Sequence, residues 1–325
     1  MFFDYNNPSV RYTGRFAEYN GTMTETASGS SFKIAFTGDQ ILLHFDTAGN
    51  EHPMPHLWLK LDDGDMFESA VCPYIRVCCK QGNHILEVIH KGSMEIQPRF
   101  PLPLVGKVSF KGFDAQGVWE LPEDNRKTIE FVGDSITEGV LIDDFLRPSN
   151  NDDDQFNRPF QDDVCAAYDY LVEKELNLRG LHMGYGAVGT THGGCGGVPK
   201  AADAYPFCFE NAPVTYDHPD YILINHGAND RQATAEQYVA EYENLLDVIR
   251  KAHPDSEIIC VSAFCGCYPE ALEKLIKEYN LKHNDNIKFI DATLWVPVEP
   301  LHPRRDGHKI IAEKLTAELR KLYNF

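Results

Sequence analysis

Residues 128–139 read TIEFVGDSITEG, and this stretch decides the fold. Its first five residues, Thr128–Val132, form a short apolar and β-branched run, the pattern of a strand buried on both faces. Gly133-Asp134-Ser135-Ile136-Thr137 follows at once, so Ser135 falls just past a strand end. In parallel sheets ligands gather beyond the carboxyl ends of the strands, which is where a nucleophile belongs. The commoner job of an Asp-Ser pair there is to cap the next helix. This stretch alone leaves both readings open.

Downstream the same texture repeats. DYILINHG, SEIICVSAF and NIKFID read as strands, with a weaker one near Leu181–Gly184. Helices are predicted over about 160–179, 234–253, 268–284 and 306–323, the last three with apolar residues at i, i+3, i+4 spacing. Alternation of this kind predicts an α/β/α domain around a parallel sheet of about five strands. The acidic, Asn/Asp-rich stretch Leu141–Asp163 reads as a surface loop between the first strand and its helix.

Upstream the texture differs. SFKIAFT, QILLHFD, HLWLKL, YIRVCCK, HILEVIH and KVSFKGF are β-rich runs. Gly38-Asp39, Asp63-Gly64-Asp65, Gln81-Gly82-Asn83 and Lys91-Gly92 punctuate them as turns. Such spacing with no helical segment predicts an all-β sandwich. The polar stretch Leu121–Asn125 marks the junction. The expected organisation is therefore an N-terminal β-sandwich over 1–122 and an α/β domain over 123–325.

With 43% hydrophobic and 24% charged residues among 325, the chain is globular, not disordered or fibrous. Its formal net charge is −19. Residues 1–120 carry 10 basic and 14 acidic side chains, and residues 121–325 carry 20 and 35. Acidity concentrated in the second part repels phosphate backbones and anionic lipid surfaces, which argues against nucleic-acid and membrane partners. No run reaches the about 18 apolar residues of a membrane span, and the first residues lack a basic and apolar leader. Nine scattered cysteines, several inside apolar runs such as IICVSAFCGC, fit reduced thiols. The expectation is a cytoplasmic protein.

Three further stretches can carry chemistry. Asn225-His226-Gly227-Ala228-Asn229-Asp230 follows the strand Tyr221–Ile224, where a side-chain amide can donate to an oxyanion. Glu299-Pro300-Leu301-His302-Pro303 precedes the final helix; His302 is a general base if it reaches a serine. The glycine-rich run GYGAVGTTHGGCGG, Gly184–Gly197, matches no phosphate-binding pattern, but its backbone N–H groups can stabilise an anion. An ordinary turn, a loop histidine and a flexible loop are the plain alternatives. His192 with Cys195, and Cys265-Gly266-Cys267, lack the spacing of a zinc site. Asp152–Asp154 reads as a solvated run. No metal and no organic cofactor is expected.

Taken together, Gly133-Asp134-Ser135, Gly189, Gly227-Ala228-Asn229-Asp230 and Glu299-Pro300-Leu301-His302-Pro303 resemble the four blocks of the GDSL or SGNH hydrolases over roughly residues 127–325. The resemblance implies a flavodoxin-like domain in which Ser135 is the nucleophile and His302 the base. It implies an oxyanion hole of the Ser135 and Gly189 N–H groups and the Asn229 amide. Glu299 stands where that family has an aspartate, so a triad through Glu299 and a Ser-His dyad both remain open. A β-sandwich before IEFVGDSITEG is similar to carbohydrate esterase family 2, whose members carry a jelly roll and deacetylate sugars. The expected activity is removal of O-acetyl groups from a sugar or oligosaccharide through an acetyl-enzyme. The rival readings are a lysophospholipase or thioesterase, and a non-catalytic carbohydrate-binding protein on the same fold.

Overall fold

The computed structural model describes residues 1–143, 158–215, 218–323 and 325. Asp152–Asp154 and the middle of the Leu141–Asp163 stretch lie outside the described residues.

The N-terminal part is antiparallel β-structure. Its strands join into one ten-stranded sheet, curled on itself in a jelly-roll-like way. Three punctuations expected as turns lie within strands: Gly38-Asp39, Gln81-Gly82-Asn83, and Lys91-Gly92 at the end of one. SFKIAFT and QILLHF belong to one strand, Ser31–Phe45, and YIRVCCK and HILEVIH to another, Tyr74–Gly92. Gly82 and Asn83 pair across the ladder with Gly38 and Thr37. The register shifts between Gly38 and Gln40. Before the shift Phe32, Ile34 and Phe36 are buried; after it Ile41, Leu43 and Phe45 are. The irregularity changes the phase of the side-chain alternation, so both halves of a long strand feed one core. Pairing with neighbours overrode the local turn chemistry. Asp63-Gly64-Asp65 does turn, between the paired strands His56–Leu61 and Met66–Ala70.

No strand or helix occupies 119–127. From Thr128 a five-stranded parallel sheet begins. Its order is Arg179–Gly184, Thr128–Gly133, Tyr221–Asn225, Glu257–Val261, Lys288–Ile290. The first strand in sequence thus has the second on one side and the third on the other. That reversal is the switch point at which doubly wound folds bind ligands. Alternate residues face opposite layers: Ile222 and Ile224 join the helices Ala235–Ala252 and Pro269–His283. Tyr221 and Leu223 join Tyr168–Glu175 and Arg305–Leu322. Thr234 and Gln237 form a capping box that fixes the start of Ala235–Ala252.

The helix expected over 160–179 is broken into Arg158–Gln161, a short 3-10 turn Val164–Ala166 and Tyr168–Glu175. Nor are Asp162 and Asp163 part of a surface loop: both are buried. Asp162 accepts from Leu141 N at 2.7 Å. Asp163 accepts from Trp58 Nε1 and from Cys165 N, and pairs with Arg305. Carboxylates committed to these tertiary partners interrupt the helix.

Buried ion pairs stitch the two parts together. Arg15 of the sandwich meets Glu130 of the first parallel strand at 2.9 Å, and Tyr205 donates to the same carboxylate. Gly29 lies so close to His182 that a Cβ would fall 2.6 Å from its ring. His182 bonds to Asp169 at 2.8 Å and to Glu173 at 3.4 Å. Burial opposes its charge, but Asp169 and Glu173 outweigh burial and raise its pKa to about 10.

Candidate active site

Ser135 opens the four-residue helix Ser135–Glu138 directly after the strand Thr128–Gly133. Asp134 does cap this helix, its Oδ1 accepting from Ile136 N at 2.9 Å. Capping and nucleophile placement are therefore one device: the cap fixes the turn that presents Ser135. Burial raises the Asp134 carboxyl to about 7; Asp230 and Glu138 push the same way, against the bond from Ile136. The Ser135 N–H, in the first turn where no intrahelical partner exists, donates to no described residue.

His302 comes from the loop before the helix Arg305–Leu322 and places Nε2 2.8 Å from Ser135 Oγ. A neutral imidazole at this distance can take the hydroxyl proton. Behind it His308 is fully buried and accepts from Tyr168 N at its Nδ1. Burial, then the neighbouring His302, lower its pKa to about 3. The site thus keeps a neutral ring beside the imidazole that must become charged.

Asn229 sits at the turn after Tyr221–Asn225, its Nδ2 donating to Val188 O at 3.0 Å. Its neighbour Asp230 binds the glycine-rich loop, accepting from Thr190 N, Thr191 N and Thr191 Oγ1 at 3.1, 2.8 and 2.6 Å. Gly189 packs against this carboxylate, and a Cβ there would lie 2.7 Å from Asp230 Oδ1. The Gly189 N–H expected to face the oxyanion donates to His192 O at 3.1 Å. Glu299 is exposed, and no hydrogen bond or ion pair holds it to a described residue. The structure brings Ser135 and His302 into contact and does not tie Glu299 to their pair. Trp295 is half-buried, packing on the helix-side core with Lys314 over its ring.

Two contributors carried little sequence signal. Glu138, the last residue of the nucleophile helix, is clasped by both terminal nitrogens of Arg99 from the sandwich. Asp230 was visible only as the last residue of GAND. Among the described residues no three His, Cys, Asp or Glu side chains gather as a metal site. No described helix is long and apolar enough to cross a membrane.

The sequence profile of the GDSL-like Lipase/Acylhydrolase family matches residues 131–310. The chain belongs to this family. Its GDSL-like portion therefore spans Ser135, Gly189, Asn229 and His302 alike. Among curated relatives, the Cellulase/esterase CelE of Acetivibrio thermocellus is 25% identical over 98% of this chain. An acetylxylan esterase / glucomannan deacetylase of Cellvibrio japonicus is 24% identical over 75% of it. The chain spans 40% of the length of the first relative and 68% of the second. A family two carbohydrate esterase from Clostridium thermocellum, solved with cellohexaose, shares the fold. Its TM-score is 0.78 at 21% identity, over 96% of this chain and 98% of that one. The likeness runs through both parts of the molecule, beyond the stretch that the family profile matches.

Proposed function

We propose that this protein is a carbohydrate esterase that removes O-acetyl groups from an oligosaccharide. The observation that carries the reading is the 2.8 Å bond between Ser135 Oγ and His302 Nε2 at the switch point of the sheet. Ser135 attacks the acetyl carbonyl while His302 takes its proton. The oxyanion forms against the Ser135 N–H and the Asn229 amide, with the Gly189 N–H turning from His192 O as third donor. His302 protonates the departing sugar hydroxyl, leaving an acetyl-enzyme. It then draws a proton from water, which releases acetate and restores Ser135. These steps use no metal or cofactor.

Similarity to CelE over 98% of the chain, and to the acetylxylan esterase / glucomannan deacetylase over 75% of it, supports a sugar as the alcohol and acetate as the acid. The net charge of −19 supports a neutral sugar over a phospholipid or coenzyme thioester, whose phosphates it repels. A reducing, cytoplasmic setting belongs to the same reading and is supported by nine free thiols, Cys165, Cys208, Cys260 and Cys267 buried among them. The substrate is then an oligosaccharide small enough to be taken up.

The test is acetate release from acetylated xylo- and manno-oligosaccharides, alongside kcat/KM for aryl acetate and octanoate. Acetate release with preference for the short acyl group is expected. Ser135→Ala should lose roughly six orders of magnitude in kcat while keeping the wild-type Tm. Highest efficiency on octanoate, or sugar binding without acetate release, would replace the proposal with a lipid esterase or a binding protein.

A further inference from the structure

We infer that His192 is a positioning residue of the oxyanion hole, locking the glycine-rich loop to the Asn229 turn, and that the lock is complete only when its ring carries both protons. The inference rests on the proposed roles of Ser135, Gly189 and Asn229.

Both ring nitrogens of His192 face backbone carbonyls: Nδ1 lies 2.8 Å from Gly193 O and Nε2 lies 3.0 Å from Asn229 O. A carbonyl oxygen only accepts. Neutral imidazole has one N–H, so it serves one of the two and turns a lone pair on the other; imidazolium serves both. The residue also acts through its own backbone, because His192 O accepts the Gly189 N–H. One residue therefore ties the Gly189 loop to the turn that carries Asn229. Through its ring it holds the peptide of Asn229, whose side chain is held in turn by Val188 O. Through its carbonyl it holds the Gly189 N–H until that group turns to the oxyanion.

The surroundings agree with the charged form. The carbonyls of Gly193 and Asn229 raise the pKa of His192 above the usual histidine value, burial opposes them, and Asp230 adds to the rise. Among the described residues Asp230 is the charged group that acts on the ring, and its oxygens are already occupied by Thr190 and Thr191. The ring itself is exposed, so it exchanges protons with solvent and its removal opens no cavity in the core.

The two histidines then set opposite limbs of the pH profile. His302 must lose its proton to act as a base, which gives the acid limb. His192 must keep its proton to hold the donors, which gives an alkaline limb.

The experiment compares wild type, His192→Ala and His192→Gln by kcat and KM across pH on aryl acetate, with 15N NMR of the histidine rings. The His192→Ala spectrum identifies the His192 signals. His192→Ala should lower kcat roughly tenfold, a fraction of a whole oxyanion donor, with KM within about twofold and no alkaline limb. His192→Gln keeps one neutral donor and should fall between the two, again without that limb. NMR should show both nitrogens of His192 protonated at neutral pH in the wild type. Wild-type kcat and an unchanged alkaline limb in His192→Ala would overturn the inference, and so would a neutral His192 ring at pH 7. A wild-type protein that hydrolyses no ester would defeat the functional reading instead; the NMR result would still decide whether the lock exists.

Discussion

At the seam between sandwich and hydrolase sheet, Arg15 meets Glu130 and Arg99 clasps Glu138, with every one of these side chains at most 1% exposed. At the rim of the same sheet, Ser135 and His302 meet across a single hydrogen bond, and His302 and Asn229 are only half-buried. The two regions share the helix Ser135–Glu138, whose first residue faces the rim and whose last is held by the seam. The seam buries charge and sets each of these arginines against a carboxylate. The rim keeps its buried ring, His308, neutral and leaves the Ser135 N–H without a partner among the described residues. The difference separates two uses of a polar group. A satisfied pair fixes where elements sit, and a partly satisfied one is left for substrate. The sandwich is thus part of the frame of the active site, since its Arg99 holds the nucleophile helix.

The contrast breaks first at the seam. Arg99→Met leaves the Glu138 carboxylate buried and unpaired, and should cost about 3–5 kcal/mol, read as a lowered denaturant midpoint. Adding Glu138→Leu should restore most of that stability, because replacing both members of a buried pair by apolar groups is often neutral. If the double variant is no better than the single one, the pair does more than fix position.

At the rim, Asn229→Ala should reduce kcat by about 10²–10³ with KM little changed, the signature of a donor used in the transition state. A raised KM at constant kcat would make Asn229 a binding residue.

The pH dependence of stability sharpens the comparison further. His182 titrates in the folded protein near 10, above the ordinary histidine value of 6.5. Its stabilisation is complete below pH 6.5 and is lost as pH rises towards 10, since the unfolded chain gives up its proton first. Tm should therefore fall from pH 7 to 10, with a shallower slope in His182→Gln; equal slopes would show that Asp169 and Glu173 do not hold a charged ring.

The smallest effect is expected for Glu299→Gln, a loss of kcat below about tenfold, since an exposed carboxylate with no partner among the described residues orients no imidazole. A loss of several thousandfold would restore the triad through Glu299.

Sequence legibility followed the same division. Ser135, Asn229 and His302 could be read because each sits in a short contiguous motif beside a strand end or a helix start. The path of the strand then dictates where the side chain emerges. Glu299 is not fixed by its motif: the loop 299–303, with prolines at 300 and 303, decides which way the carboxylate points. The glycine-rich loop of Gly189 was visible as a run of glycines, but not that the Gly189 N–H is given to His192 O, since such a bond depends on how the loop doubles back.

The amino-acid sequence by itself determined the parallel sheet, three of its covering helices and the motifs at its carboxyl rim, because hydrophobic period and strand-end motifs are local properties. Tertiary structure alone decided the rest. It made Gly38-Asp39 and Gln81-Gly82-Asn83 parts of long strands, because ladder partners outweighed turn propensity. It turned Asp162 and Asp163 from loop residues into buried acceptors. It also set Arg15 and Arg99 across the seam, since nothing along the chain distinguishes a buried cation from a solvated one until its carboxylate is folded against it.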